Sequence, residues 1–276
     1  MGDVGTPSAA RPPESKAATR PPLRSVALPS EHGGWSLTLE PVLLGLLVVS
    51  SPAGWAIGIG AFLAFLARTP LKLALVDRRR HRWLPRSQLA ARVAAAELAL
   101  LAGAVVVAVT TTEQAFWWPL ALAVPLFAIE LAYDIRSRSR RFVPEMAGAI
   151  GMGAIAAAIA LAGGESDGVA AALWVALGAR SIAAIPFVRV QLRRAKKQPF
   201  ALGWSDAAQA VAVLVASAGW LAGDLPGPAV IAIAVLAVFE LGAVRTPPPK
   251  AVIVGAQQVA LGLMVVFTTA LGVLAP

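Results

Sequence analysis

Nine apolar stretches, separated by loops whose charge alternates strictly, constrain this chain more than any other feature. The stretches fall at 34–50, 54–75, 89–109, 116–133, 144–162, 169–188, 204–222, 228–244 and 251–274. A helix that crosses a bilayer needs about 20 mostly apolar residues, within a range of roughly 17–25. Of the 24 Lys and Arg residues, all but Arg68, Lys72, Arg92 and Arg180 lie in the leading tail or in every second loop. The intervening loops, 51–53, 110–115, 163–168 and 223–227, contain no Lys or Arg and hold Glu113, Glu165, Asp167 and Asp224 instead. Lys and Arg concentrate in cytoplasmic loops, so one missed or surplus helix would invert every later loop. The alternation predicts an all-α polytopic bundle of nine transmembrane helices in the cell membrane, with the amino terminus cytoplasmic and the carboxy terminus outside.

Composition supports lipid as the solvent. Charged residues make up 14% of the chain, against roughly 25% in an ordinary soluble protein. The net charge of +9 would point to nucleic acid in a soluble domain. Here the basic residues gather at helix ends, so the charge reads as membrane orientation, with the bilayer as partner and no nucleic acid. The absence of cysteine excludes disulfides, thiolate catalysis and Cys-ligated metals. Two histidines, His32 and His81, make a His-rich metal site unexpected. Residues 1–30 are rich in Pro, Ala, Ser and Arg, lack an apolar core of the signal-peptide kind, and read as a disordered cytoplasmic tail. Residues 31–276 form the transmembrane domain.

The charges inside the apolar runs are the candidate site. An ionised side chain at the centre of a spanning helix is unfavourable by about 2.5–3.5 kcal/mol on insertion scales and faces protein or water. In the stretch AFLAFLARTPLKLALVDRRRHRWLPR, residues 61–86, Arg68 and Lys72 stand four apart and share one helix face. The same spacing joins Glu130 and Asp134. Asp77 leads into the basic cluster that follows. Arg180 and Arg189 lie toward the end of the sixth stretch, and Glu240 and Arg245 end the eighth. Glu40 sits one to two turns inside the first stretch. His32, in the opening Glu-His-Gly-Gly-Trp, is a side chain of the type that can change charge near neutral pH. The even-numbered stretches therefore bring mixed charges to a common cytoplasmic depth, consistent with a basic cavity for an anion. The plainer alternative is that Glu130 and Asp134 pair with Arg68 and Lys72 as structural ion pairs, while the basic runs snorkel to headgroups. Gly148, Gly151 and Gly153 read as a small-residue packing face. Gln257 and Gln258, at the start of the last stretch, read as interfacial.

The segments SEHGGWSLTLEPVLLG, LARTPLKLALVDRRRHR, ELAYDIRSRSRRFVPEMAGAIG and RSIAAIPFVRVQLRR resemble the YwiC-like family of bacterial integral membrane proteins, from about Pro29 onward. That resemblance implies architecture rather than chemistry. The chain is more distantly similar to the UbiA-type prenyltransferase superfamily, which implies a nine-helix UbiA-like arrangement with a cavity at the cytoplasmic ends of the second and sixth helices. Tyr133-x-x-Arg136 is similar to that superfamily's Tyr-x-x-Lys-Arg region. Its Asn-Asp-x-x-Asp-x-x-x-Asp motif falls here on Thr69, Pro70, Leu73 and Asp77, so only the last acid is kept. Its second acidic motif is absent, because no Asp or Glu occurs between Asp167 and Asp206. The superfamily's carboxylates hold magnesium, which binds a prenyl diphosphate. Cations at Arg68, Lys72, Arg180 and Arg189 would repel that metal, and no metal site is expected.

Three functional readings follow. The first is a scaffold whose Arg68, Lys72, Arg180 and Arg189 clamp an anionic isoprenoid, quinone precursor or lipid headgroup, with Glu130, Asp134 or His32 orienting it or moving protons and Asp77 and Glu40 as further candidate ligand-binding residues. The second is a transporter for a small anion or a proton-coupled solute. The third is a non-catalytic accessory protein whose charges fix topology and packing.

Overall fold

A computed structural model describes residues 23–28, 32–82, 84–136, 138 and 141–275. Nine long helices and one short one appear among them, with no strand: α1 Leu23–Ala27, α2 His32–Val48, α3 Pro52–Arg79, α4 Pro85–Thr110, α5 Trp117–Ile135, α6 Phe142–Ala162, α7 Asp167–Ala195, α8 Leu202–Leu221, α9 Gly227–Ala243 and α10 Ala251–Leu274. Each of the nine apolar stretches is a helix. Six of these, α3, α4, α5, α6, α7 and α10, are long and apolar enough to cross a membrane. At 17 residues each, α2 and α9 reach about 26 Å, slightly less than the roughly 30 Å hydrocarbon core. The protein is a multi-pass helical membrane bundle.

The largest boundary differences fall where helices run into basic sequence. Instead of ending at 75 and 188, α3 continues to Arg79 and α7 to Ala195. Arg78 and Arg79 occupy the last turn of α3, and Arg193 and Arg194 that of α7. Cations there oppose the negative end of the helix dipole, and Arg is itself a good helix former. Both helices then reverse through a left-handed residue, His81 at φ 54° and Lys197 at φ 53°. The Arg82 N–H returns to the Asp77 carbonyl and that of Gln198 to the Arg193 carbonyl, each at 2.9 Å. At their other ends, Ser51 Oγ accepts from the Gly54 N–H at 3.0 Å and Ser166 Oγ from the Val169 N–H at 3.2 Å, satisfying first-turn donors.

At the centre of one half of the bundle lies α6, packed against α2, α3, α5 and α7. Its run from Ala154 to Ala162 is buried throughout, because small side chains let helices approach where no hydrophobic effect drives them together. The glycines of α6 act as the packing face expected of them. A Cβ on Gly151 would meet the Phe127 ring at 3.2 Å, and one on Gly153 would meet Trp174 at 2.8 Å. The other half is formed by α7, α8, α9 and α10 around Ala179, Ala183, Ala212, Ile233, Leu236 and Val265. The seam between the halves runs along α2, α10 and α7. At the periphery, α4 lies against α3. Leu100, Val106, Leu122, Leu214, Leu221, Ile231 and Val238 face outward, as lipid contact requires.

Most of the tail lies outside the described residues. Within it, Leu23–Ala27 form a short helical turn, and Val26 is buried against Ala74 of α3 and Ala90 of α4.

Candidate functional site

The sequence-predicted charges resolve into four separate assemblies. The first joins α3 to α5. Arg68 Nη2 lies 2.9 Å from Glu130 Oε1, Arg68 Nε donates to Asp134 Oδ2 at 2.9 Å, and Lys72 Nζ lies 3.3 Å from Asp134 Oδ1. The two i,i+4 pairs thus face each other across the helix contact. Gly148 on α6 makes the room: a Cβ there would stand 2.7 Å from the Glu130 carboxylate. The Arg68 and Lys72 side chains are each 30% exposed, so this group reaches the rim of the bundle.

Asp77 belongs to a different clasp. Its carboxylate accepts from Ser87 Oγ at 2.6 Å and from Arg86 at 3.4 Å. Ser87 Oγ in turn accepts the Leu84 N–H at 3.2 Å. Asp77 therefore fastens the end of α3 to the start of α4. No group of three or more acidic, His or Cys side chains able to hold a metal occurs among the described residues.

Arg189 of α7 forms a third assembly with Glu145 in the first turn of α6, Nη1 to Oε2 at 2.5 Å. Beside them opens a cleft of about 260 Å³ lined by Phe142, Arg189, Val190, Arg193, Phe200, Ala201 and Trp204. Phe142 and Trp204 meet edge to face at 5.2 Å, and the Arg194 guanidinium lies over the Phe200 ring at 5.7 Å. A second cleft of about 270 Å³, lined by Val76, Arg79, Arg80, Ile135 and Arg136, lies where α3 and α5 end. Both clefts are at helix ends that carry basic loops.

The fourth assembly is in the interior. Arg180 of α7 grips Glu40 of α2 side-on, with Nε 2.8 Å from Oε2 and Nη2 donating to Oε1 at 2.8 Å. Nη2 also donates to the Gln258 carbonyl of α10 at 3.0 Å. That approach passes over Gly262, four residues further along α10, where a Cβ would stand 2.6 Å from Arg180 Nη2 and overlap the Glu40 carboxylate. The Gln258 side chain continues the network, Nε2 donating to Glu240 Oε1 of α9 at 2.8 Å. Gln209 Nε2 of α8 donates to Glu240 Oε2 at 2.7 Å and to the Ala183 carbonyl at 3.1 Å. All five side chains are buried.

Nine residues carry the ligand-binding reading of the sequence. Arg68, Lys72, Glu130 and Asp134 come together, as do Arg180 and Glu40; Asp77 and Arg189 stand apart from both groups, and the His32 side chain lies outside the described residues. Gln258 is an interior residue rather than an interfacial one. Glu240 turns inward to Gln209 and Gln258, whereas Arg245 pairs with Asp206 of α8 at 2.9 Å. Sequence reasoning passed over Gln209, Glu145 and Gly262. An isolated amide in an apolar run is a signal for the first. Glu145 and Gly262 carry none, since their roles depend on which helices become neighbours. Glu97, at the middle of α4, was also passed over; its Oε2 is buried without a hydrogen-bond partner.

No curated protein and no solved structure matches the chain. Residues 28–160 match the family model described as YwiC-like protein. The matched part holds Glu40 and the α3–α5 group, while Arg180, Arg189 and Glu240 lie beyond it. Over residues 28–160, α2 through nearly all of α6, the chain is similar to the YwiC-like family.

Proposed function

We propose that this protein is a binding scaffold of the cell membrane whose nine long helices all cross the bilayer, with the amino terminus cytoplasmic and the carboxy terminus outside. On this reading it holds the anionic head of a phosphate-bearing amphiphile, an isoprenoid or a lipid, in the cytoplasmic cleft between α7 and α8. One observation carries the reading: Arg189 and Arg193 converge on a cleft walled by Phe142, Phe200 and Trp204. Guanidinium groups match phosphate oxygens two at a time, and aromatic rings at membrane–water depth accept the first part of a hydrocarbon chain. Glu145 already engages Arg189, so exposed Arg193 supplies the surplus positive charge. The head is assigned here rather than to Arg68, Lys72 or Arg180 because carboxylates match those three cations.

Purified protein is titrated with geranylgeranyl monophosphate and, separately, with phosphatidylglycerol, and followed by native mass spectrometry. Arg193→Ala is expected to weaken binding at least tenfold, roughly 1.4 kcal/mol or more, while Arg138→Ala in another basic loop leaves it unchanged. Equal losses in both variants would reduce the cleft to part of a general basic surface. No binding to the unmodified protein would favour the accessory reading, in which the charges serve topology and packing.

A further inference from the structure

The interior network contains two carboxyl groups and one guanidinium. Arg180 is paired with Glu40: its Nη2 donates to Oε1 at 2.8 Å, and its Nε lies 2.8 Å from Oε2 as an ion-pair contact. The remaining contact of Nη2 is to a backbone carbonyl. Glu240 is fully buried and is met by two neutral amides. Among the described residues no cation stands within ion-pair distance of it. Arg245, just past the end of α9, is committed to Asp206 at the surface. From the packed elements, Glu240 thus faces Arg180 on α7, Gln209 on α8 and Gln258 on α10, with Glu40 of α2 behind the guanidinium. With both carboxyls ionised the assembly carries one surplus negative charge in a lipid-embedded core, where an uncompensated ion is strongly disfavoured.

A second, independent observation points the same way. Gln209 Oε1 and Gln258 Oε1 are buried and accept no hydrogen bond, and Ser205 Oγ, one turn before Gln209 on α8, is also buried without a partner. Buried acceptors are normally satisfied. Here two of them belong to the same amides that hold Glu240. A half-turn of either amide exchanges its nitrogen and oxygen, which occupy nearly equivalent positions, and brings the oxygen to within about a hydrogen-bond length of the carboxyl.

We propose that Glu240, with the side-chain oxygens of Gln209 and Gln258, binds one small monocation in the interior of the bundle, either a proton or an alkali ion. A proton on Glu240 would be donated to whichever amide turns its oxygen inward. An alkali ion would take the carboxylate and amide oxygens as hard ligands. Either cation brings the assembly to neutrality, and Arg180–Glu40 remains the fixed pair beside it.

The test uses the full-length protein in detergent at constant ionic strength, with choline chloride replaced by sodium or potassium chloride. Thermal midpoints and the infrared carbonyl band of a protonated carboxyl are recorded across pH. A saturable rise in midpoint with sodium or potassium, abolished in Glu240→Gln, identifies an alkali site. No alkali response, together with a protonated-carboxyl band that is lost in Glu240→Gln, identifies a proton site. Gln258→Leu keeps the acid and removes one oxygen, and is expected to weaken the alkali response at least tenfold or to shift the band. The unmodified protein showing neither response nor band overturns the proposal even if both variants fail to fold. So does a response or band that survives in Glu240→Gln.

Discussion

Two polar groups in this bundle are built from the same parts and differ in balance. The α3–α5 group sets Arg68 and Lys72 against Glu130 and Asp134, two charges of each sign, at a rim where the cations are 30% exposed. The Glu40–Arg180–Glu240 network sets one cation against two carboxyls, with Arg180 and Glu40 each 4% exposed. Both are admitted by a glycine on a third helix, Gly148 for the first and Gly262 for the second. At the rim, water can take over from a lost partner, and matched charges serve mainly to join helices. In the interior nothing else is available, so each group depends on the one beside it and an excess charge calls for an occupant.

The sharpest way to break this comparison is to remove Arg180. Arg180→Met leaves the Glu40 carboxylate buried without its cation, a change expected to destabilise by about 3–5 kcal/mol. Replacing both partners, Arg180→Met with Glu40→Leu, is expected to recover most of that loss, because an apolar pair of similar volume needs no solvation. Thermal or denaturant unfolding in detergent measures both. If Arg180→Met costs no more than Arg68→Met, the interior and the rim do not differ as described.

The glycines give a second, smaller contrast. Gly262→Ala places a Cβ against the Arg180 guanidinium and the Glu40 carboxylate, which are pinned by each other. The expected loss is about 1–3 kcal/mol, the range for overpacking. Gly148→Ala has as its nearest neighbour the end of the Glu130 side chain, which is partly exposed and can swing outward. Its effect is expected to be smaller than that of Gly262→Ala, and the order of the two midpoints in one assay decides the matter.

Much of the rim was legible in the sequence, and much less of the interior. Arg68, Lys72, Glu130 and Asp134 announce themselves through i,i+4 spacing within apolar runs, and the alternation of loop charge marks out the helices that carry them. Glu40 and Arg180 were visible as charges at depth, but 140 residues separate them, and helix order alone does not reveal that α2 packs beside α7 and α10. Gln258 looked interfacial because it stands near a helix start; only the inward turn of Glu240 makes it an interior residue. Gly262 has no side chain to advertise it. Its role exists only once a guanidinium from another helix arrives there.

The smallest predicted effect bears most directly on the unbalanced charge. Arg245 follows Glu240 by five residues and is the nearest cation to it in the sequence, which makes it the natural counter-ion if sequence proximity were the guide. Its guanidinium instead faces Asp206, with 52% and 32% of the two side chains exposed. Exposed pairs of this kind contribute about 0.2–1 kcal/mol, and salt screens them. Arg245→Ala is therefore expected to lower stability by less than about 1 kcal/mol at low salt, with the difference shrinking as salt is added. Removing a counter-ion from Glu240 would behave differently: the loss would be several times larger and insensitive to salt, since ions do not screen a buried pair effectively. A salt-independent loss in Arg245→Ala that disappears when Glu240 is also changed to Gln would assign Arg245 to the interior carboxyl and restore the charge balance that the monocation is invoked to supply. A small, screened loss that is the same with Glu or Gln at 240 leaves the interior one positive charge short.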